Sequence, residues 1–146
     1  MTDEQAQLVT ESFESVKHIA DTAAHLFYGR LFQQNPQLEH LFRGDMAAQG
    51  RKLMATLAVA VAAAHNLEAL RAPLTALASR HVGYDAKPEH FEAVGDALLW
   101  TLALGLGHRF TPEVNEAWST LYAELVDLMR PAMLRTMAGE NEESVW

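Results

Sequence analysis

The sequence predicts an all-α protein, built from about seven to eight helices in a single domain. Residues with high helix propensity, chiefly Ala, Leu, Glu and Met, dominate the chain, and β-branched residues are sparse. Apolar residues recur at helical spacing, and no long stretch alternates with a period of two. The chain has 146 residues, of which 49% are hydrophobic, and this is enough material for one buried core.

The first three helices are bounded by a capping residue, a proline and a glycine. Thr2 precedes two acidic residues, which predicts a helix that begins there and runs to about His18. A second helix is expected over 20–34, because the residue before Pro36 is pushed out of helical geometry. Pro36 itself can open a short helix, since a first turn does not need its missing N–H. Gly44 is expected to end that helix.

A long helix is predicted from Met46 to about Ala64. Leu53, Leu57 and Val61 follow one another at four-residue steps and form its apolar stripe. The opposite side is rich in alanine. Small side chains let a flat ligand approach closely, although simple helix packing explains the same pattern.

Three helices are expected in the second half of the chain. Asn66 is predicted to cap a helix that ends at Gly83 and is interrupted or restarted by Pro73. The next helix is expected over 88–106 and the last over 112–137, each beginning at a proline.

The chain is expected to form one domain over residues 1–137, followed by an acidic, flexible tail at 138–146. No apolar run approaches the roughly 18 residues that a membrane span needs. The N terminus lacks the charge pattern of a secretory signal, so a cytoplasmic location is expected. The net charge of −8 disfavours nucleic acid and anionic membranes as partners. Cysteine is absent, which excludes disulfides and thiolate metal sites.

Motifs for nucleotide binding, nucleophilic catalysis and metal-dependent hydrolysis are absent from the sequence, so attention falls on its seven histidines. His81 stands out, because it lies four residues after Leu77 and seven after Leu74 and so shares their apolar helix face. An imidazole in that position could ligate a metal. A half-buried histidine that merely completes the apolar face is the alternative.

Several short segments, in order along the chain, carry a resemblance to one protein family. They are LFYGRLF at 26–32 with NP at 35–36 and LF at 41–42, QGRKLM at 49–54, SRH at 79–81, VGDALL at 94–99, FTP at 110–112, AW at 117–118 and LY at 121–122. In this order and spacing the chain resembles the globins, in particular bacterial single-domain globins related to flavohaemoglobin globin domains. The last two helices are also similar to neuroglobin. The resemblance covers almost the whole chain and implies a globin fold around a haem pocket.

The resemblance also implies that the chain holds one haem b (iron protoporphyrin IX). His81 matches the proximal ligand of the iron, and a carbonyl one turn earlier is expected to orient its second ring nitrogen. Phe42 matches the ring that packs flat on the haem, and Leu53 matches the apolar residue over the open coordination position. Ordinary core packing is the alternative for both. Lys52 and its neighbour Arg51 are candidates for contact with the haem propionates. Further haem contacts are expected from apolar residues, namely Leu77, Phe91, Val94 and Leu98.

Tyr28 and Gln49 match the distal side of the haem, where a phenol and an amide can donate hydrogen bonds to bound oxygen. Such charge-assisted hydrogen bonds are worth roughly 1.5–3 kcal/mol each, which implies slow release and high affinity. Gln49 stands where a distal histidine would otherwise supply a sixth ligand, so a five-coordinate ferrous iron is expected. The alternatives are a tyrosine that anchors one helix to another and a solvated glutamine at a helix start.

Two departures from the flavohaemoglobin pattern affect the expected chemistry. The tyrosine and glutamate that support the proximal histidine in such proteins are matched by Phe91 and Met133, which cannot accept a proton. His81 should then donate less electron density to the iron, which weakens peroxidase-like bond cleavage. No reductase domain follows in this sequence, so a catalytic cycle is expected to need an external reductase.

The resemblance implies reversible binding of oxygen, and of other diatomic gases such as CO and NO, for storage or transport. Nitric oxide dioxygenation with a separate reductase is the second interpretation, so enzymatic activity stays open. A gas sensor and a haem-free helical bundle of globin type are further alternatives. The oligomeric state also stays open.

Overall fold

The computed structural model describes residues 1–42, 44–83 and 86–139. Within these ranges all regular structure is helical, which confirms the all-α class. Six α-helices follow one another as α1 (Asp3–Lys17), α2 (Ala20–Gln34), α3 (Met46–Ala62), α4 (Arg71–Gly83), α5 (His90–Leu106) and α6 (Pro112–Met137). Short 3₁₀ segments span Pro36–Leu41, Ala64–Leu70 and Gly107–Arg109. The expected tail at 138–146 lies outside the described residues, apart from a turn at positions 138 and 139.

The two helices that begin at a threonine cap, α1 and α6, begin where the sequence predicts. Thr2 Oγ1 accepts a hydrogen bond from the Gln5 backbone N–H at 3.0 Å, and Gln5 Oε1 accepts one from the Thr2 N–H at 2.9 Å. This reciprocal capping box fixes the start of α1. The Thr111 hydroxyl accepts a hydrogen bond from the Val114 N–H at 3.2 Å at the start of α6. Gly107 ends α5 with a φ of 59°, a backbone conformation that favours glycine.

The predicted helix boundaries between α3 and α4 are wrong. α3 ends at Ala62 rather than at Ala64, and Asn66 does not cap an α-helix. Asn66 lies inside a 3₁₀ segment with φ −152° and ψ 66°, so the helical path is broken at that residue. α4 begins only at Arg71. Pro73 lies in the first turn of α4, where a missing N–H costs no helical hydrogen bond, so this proline does not interrupt the helix.

The start of α5 also differs from the prediction, because Pro88 belongs to a turn that precedes the helix. The Lys87 N–H donates to His90 Nδ1 at 3.1 Å, and the His90 N–H donates back to the Lys87 carbonyl at 2.9 Å. This pair of bonds closes the turn, and α5 begins at His90.

Trp118 on α6 anchors the core between α1 and α6. Its ring centroid lies 6.3 Å from that of Phe13, and its indole N–H donates to the Ser12 hydroxyl at 2.9 Å. The polar edge of the buried ring is therefore satisfied, as a buried indole requires. Among the residues that the structure describes, the largest fully buried side chains are those of Trp118, Leu31, Leu121, Met133 and Val9.

Two glycines permit close helix crossings. A Cβ at Gly50 on α3 would lie 2.9 Å from the Cβ of Ala24 on α2, and a Cβ at Gly95 on α5 would lie 2.7 Å from Cε2 of Tyr122 on α6. A side chain at either position would push the two helices or the ring apart. The first crossing brings the start of α3 against α2 one turn before Tyr28.

Within the described ranges no single helix is long and apolar enough to cross a membrane. α3 and the stretch Ala64–Gly83 are long and apolar enough only when they are taken together. The chain bends by 109° between them.

Candidate functional site

His81 lies in the last turn of α4, and the backbone of that helix holds its ring. Nδ1 is 2.7 Å from the carbonyl oxygen of Leu77, one turn earlier. Because a carbonyl can only accept, Nδ1 carries a proton, and Nε2 is the ring nitrogen that is left for another partner. The predicted orienting carbonyl is thus confirmed. A neutral imidazole oriented through one nitrogen is the form in which histidine ligates a metal through the other.

The ring of His81 lies at the edge of the core. Leu74 and Ala78, which precede it on α4, are 5% and 0% exposed. Leu77 is partly buried and His81 itself is exposed, so burial decreases along the stripe toward the histidine. The bond to Leu77 is the hydrogen bond that the described part of the chain gives to the His81 side chain, and it leaves Nε2 without a hydrogen-bond partner there.

Tyr28 on α2 and Gln49 on α3 are brought together. Burial raises the pKa of the Tyr28 hydroxyl above its ordinary value of 10.0, and a hydrogen bond with the Gln49 side chain offsets part of that rise. Because burial is the larger of the two causes, the phenol keeps its proton at neutral pH and remains a hydrogen-bond donor. A buried phenol and an amide therefore lie within reach of one another.

Three phenylalanines surround the ring of Tyr28. Phe27 and Phe42 meet it edge-on, with ring centroids 4.9 Å and 5.3 Å away, and Phe32 stacks on it at 6.0 Å. Phe32 and Phe42 also contact each other at 5.3 Å. These are geometries that aromatic pairs favour. Phe42, which the resemblance places against the haem, therefore belongs to the same cluster as Tyr28.

The remaining apolar residues expected at the haem lie at or just inside the margin of the core. Leu53, Leu77, Phe91 and Val94 are partly buried and pack against it. Leu98 is 6% exposed. Leu53 and Leu98 also line an apolar cavity of about 10 Å³ in the interior.

Lys52 and Arg51 lie in the first two turns of α3, and both are exposed. Neither forms an ion pair with another residue of the described ranges. Their positive charges are therefore open to an external anion.

Phe91 and Met133, the two departures from the flavohaemoglobin pattern, are both packed against other groups. Met133 is 2% exposed. The guanidinium carbon of Arg130 lies 5.7 Å from the centre of the Phe91 ring, within the range of a cation–π interaction. The Tyr122 hydroxyl donates to the Phe91 carbonyl at 2.6 Å. A cation and a phenol thus lie beside Phe91.

The sequence reasoning missed Tyr122 and Arg130 as neighbours of this site. The available signal was Gly95, a glycine in the middle of a helix, because its missing side chain admits the Tyr122 ring. Burial raises the pKa of Tyr122 far above 10.0, and the charge of Arg130 only partly opposes that rise. Tyr122 therefore stays a neutral donor that fixes the first turn of α5.

A family model described as Globin matches residues 25–129 of this chain. The chain is a globin. The matched segment runs from the early part of α2 to the middle of α6, and it includes Tyr28, Gln49 and His81.

Sequence relatives of this globin include bacterial flavohemoproteins. It is 32% identical over 132 residues to one from Deinococcus radiodurans and 34% identical over 119 residues to one from Xylella fastidiosa. These matches cover 88% and 78% of this chain but 33% and 30% of the relatives. The chain therefore spans about a third of the length of the curated relatives that it matches.

Solved structures share its fold. An engineered carbene transferase from Rhodothermus marinus superposes with a TM-score of 0.85 at 22% identity, covering 94% of this chain and 96% of that one. A bacterial globin from Campylobacter jejuni superposes with a TM-score of 0.83 at 22% identity, covering 94% and 99%. The predicted globin fold is confirmed.

The residues present fit a haem group. His81 supplies one exposed imidazole whose Nδ1 is bonded to a carbonyl, so Nε2 is the nitrogen that a haem iron could take, as in globins. Partly buried apolar side chains, such as Leu53 and Val94, suit a flat apolar macrocycle that would cover them. Tyr28 and Gln49 offer polar donors on a separate pair of helices.

Proposed function

We propose that this globin holds one haem b on His81 and reversibly binds oxygen, and other diatomic gases such as CO and NO, at high affinity. The observation that carries the proposal is the placement of Tyr28, which is 8% exposed, against the ring of Phe42 and beside Gln49. The haem would supply the iron that binds the gas. The protein would supply the proximal imidazole, the hydrogen-bond donors and the apolar surroundings.

Tyr28 is the residue that would retain the ligand. Its phenol is protonated at neutral pH, so it can donate to a ligand that gains negative charge on binding. A hydrogen bond to a charged acceptor is worth roughly 1.5–3 kcal/mol, which is about ten- to a hundredfold in the rate of release. Gln49, on the facing helix, offers a second N–H donor. High affinity through slow release follows from this pair.

The apolar residues would exclude water and hold the cofactor. Phe42, Leu53, Leu77, Phe91, Val94 and Leu98 would cover the faces of the haem, and burial of its apolar surface would drive binding. Lys52 carries an exposed ammonium that suits a propionate at the rim. In this proposal the globin domain spans residues 1–137, and the protein acts in the cytoplasm.

The first test is the visible absorption spectrum of the purified protein, recorded oxidised, reduced, and reduced under CO, beside His81→Ala. We expect the wild type to retain haem, to show a five-coordinate reduced spectrum and to shift with CO. His81→Ala should lose that spectrum. His90→Ala is a matched control, because His90 caps the turn before α5 through Nδ1. Absence of haem from the wild type, or an unchanged His81→Ala spectrum, would contradict the proposal.

Nitric oxide dioxygenation is the second candidate function. What favours it is that the parent of the Rhodothermus marinus structure carries a provisional assignment as a nitric oxide dioxygenase. A tightly held oxygen beside Tyr28 would suit reaction with NO to give nitrate, with electrons from an external reductase. The test is steady-state NO consumption with nitrate formation when a cellular reductase is added. If no reductase sustains turnover, nitric oxide dioxygenation is ruled out as the main function, and reversible oxygen binding is the function that remains.

A further inference from the structure

Ser79 and Thr136 form a hydrogen bond that joins α4 to α6 two residues before His81. Their hydroxyl oxygens are 2.8 Å apart, although 57 positions separate them in sequence. Thr136 Oγ1 also donates to the Ala132 carbonyl at 3.0 Å. A hydroxyl has one proton, so Thr136 gives its proton to Ala132 and accepts the proton of Ser79. The bonds therefore run in one direction, from α4 into the backbone of α6.

The bond lies on a different side of α4 from the site. Two residues along an α-helix correspond to about 200° of rotation, so Ser79 and His81 project to nearly opposite sides. The carbonyl of Leu77 fixes the orientation of the imidazole within the helix. The bond to Thr136 joins the helix to α6.

Among the described residues, the bond between Ser79 and Thr136 is the side-chain hydrogen bond that links α4 to α6. The buried residues of α4 are Leu74 and Ala78, which are apolar. Apolar contact is non-directional, whereas a hydrogen bond requires a set distance and angle, so this bond adds a directional constraint to the apolar packing. The hydroxyl of Thr75, one turn before Ser79, donates its hydrogen bond to the Arg71 carbonyl of the same helix, so it does not link α4 to α6.

We propose that Ser79 is a positioning residue for His81. Its bond to Thr136 holds α4 at one register against α6, and so sets where Nε2 meets the haem iron. This inference rests on the proposed function, because it concerns the bond between His81 and that iron. Without the bond α4 can shift, and the bond from His81 to the iron weakens.

Two pairs of variants distinguish the loss of a hydroxyl group from a change in the shape of the side chain. Ser79→Ala removes the donor and Ser79→Thr keeps it. Thr136→Val removes the acceptor at nearly constant volume and Thr136→Ser keeps it. Thr75→Ala is the matched control, because it removes a hydroxyl from the same helix without breaking a link to α6. Far-UV circular dichroism establishes that each variant is folded, and the Thr136 pair serves if Ser79→Ala is not.

Two measurements report on the bond from His81 to the iron without relying on activity. One is the iron–histidine stretching band in the resonance Raman spectrum of the reduced protein. The other is the rate at which haem passes to an excess of apomyoglobin. We expect Ser79→Ala and Thr136→Val to shift the band to lower frequency and to lose haem about two- to tenfold faster, as the loss of one hydrogen bond allows. Ser79→Thr, Thr136→Ser and Thr75→Ala should stay within about twofold of the wild type.

The wild type distinguishes a failure of this inference from a failure of the proposed function. If the wild type shows an iron–histidine band and Ser79→Ala and Thr136→Val leave both readouts unchanged, the positioning role is wrong and the haem site stands. If these two variants lower the melting temperature but leave the iron–histidine band unchanged, the positioning role is likewise wrong. If the wild type holds no haem on His81, both proposals are overturned.

Discussion

The Tyr28 hydroxyl is held in place before any ligand arrives. Its ring contacts Phe27, Phe32 and Phe42, and it is 8% exposed. A donor whose position is already fixed loses little conformational entropy when it forms its hydrogen bond, so more of the bond energy appears as affinity. The aromatic cluster is therefore part of how Tyr28 would retain oxygen.

Removal of the Tyr28 hydroxyl should speed the release of oxygen. In Tyr28→Phe we expect the dissociation rate to rise about ten- to a hundredfold, because a charge-assisted hydrogen bond is lost. Gln49→Leu should have a smaller effect, since Tyr28 remains as a donor. Stopped-flow displacement of oxygen by CO measures both rates. Gln33→Leu, which changes an exposed glutamine of α2, should leave the rate unchanged. Equal release rates in Tyr28→Phe and the wild type would remove Tyr28 from the distal role.

Local geometry explains which residue contacts could be predicted from the sequence. The bond from His81 to the Leu77 carbonyl spans one helical turn, so helix geometry alone brings the two groups together. The bonds from Tyr122 to Phe91 and from Ser79 to Thr136 join residues on different helices. Their existence depends on how α4, α5 and α6 pack, and no spacing in the sequence encodes that packing.

Gly50 sets the approach of α3 to α2, and thus the distance between Gln49 and Tyr28. In Gly50→Ala the new methyl would lie 2.9 Å from the Ala24 methyl, which has no rotamer to escape into. We expect a loss of about 1–3 kcal/mol in the free energy of unfolding, as overpacking usually costs. Oxygen release should also accelerate, because Gln49 moves away from Tyr28. Urea unfolding and stopped-flow kinetics measure the two effects.

Two further variants test the cause assigned to Gly50. Ala24→Gly combined with Gly50→Ala removes the clashing methyl and should restore much of the slow release. Gly29→Ala on α2 is the matched control, because nothing lies within 4 Å of a Cβ there. It should stabilise the helix by about 0.5–1 kcal/mol. A neutral effect of Gly50→Ala would show that α3 can shift without cost.

The segment from α3 to α4 is less deeply packed than the rest of the fold. α3 buries Gly50, Ala60 and Val61, and α4 buries two residues, whereas α6 buries nine. Without haem, backbone amides in Met46–Gly83 should exchange faster than those in α5 and α6, because few apolar contacts resist local opening. Haem should slow exchange in the former segment most. Hydrogen–deuterium exchange of both forms measures this, and uniform protection in the haem-free protein would contradict it.

The starts of two helices could be predicted from the sequence more easily than the connections between helices. Thr2 and Thr111 cap helices through their own hydroxyls, so the residue type carries the information. Asn66 and Pro88 are also typical of helix starts, but a 3₁₀ segment and a turn use them instead. Those connections depend on where the neighbouring helices must dock, which propensity does not report.

For the whole molecule, the pKa values of two tyrosines predict a loss of stability in alkali. Burial raises the pKa of both Tyr28 and Tyr122 above 10.0, the value expected in the unfolded chain. Above that pH the unfolded chain releases these protons first, and the folded state then holds more protons. The free energy of unfolding therefore falls as the pH rises from 10 toward the folded pKa values. Below pH 10 both states are protonated, and these tyrosines add no pH dependence.

Because the pKa of Tyr122 is raised far, this tyrosine should approach a slope of about 1.4 kcal/mol per pH unit as the pH rises above 10. Urea unfolding at a series of pH values from 9 to 11 measures the slope. Tyr122→Phe should lose stability at pH 7, because the bond to the Phe91 carbonyl is lost, yet its slope above pH 10 should be shallower. Lysines titrate in both proteins alike, so the difference between the two slopes isolates Tyr122. An unchanged slope in Tyr122→Phe would mean that this hydroxyl ionises as readily in the folded state as in the unfolded chain.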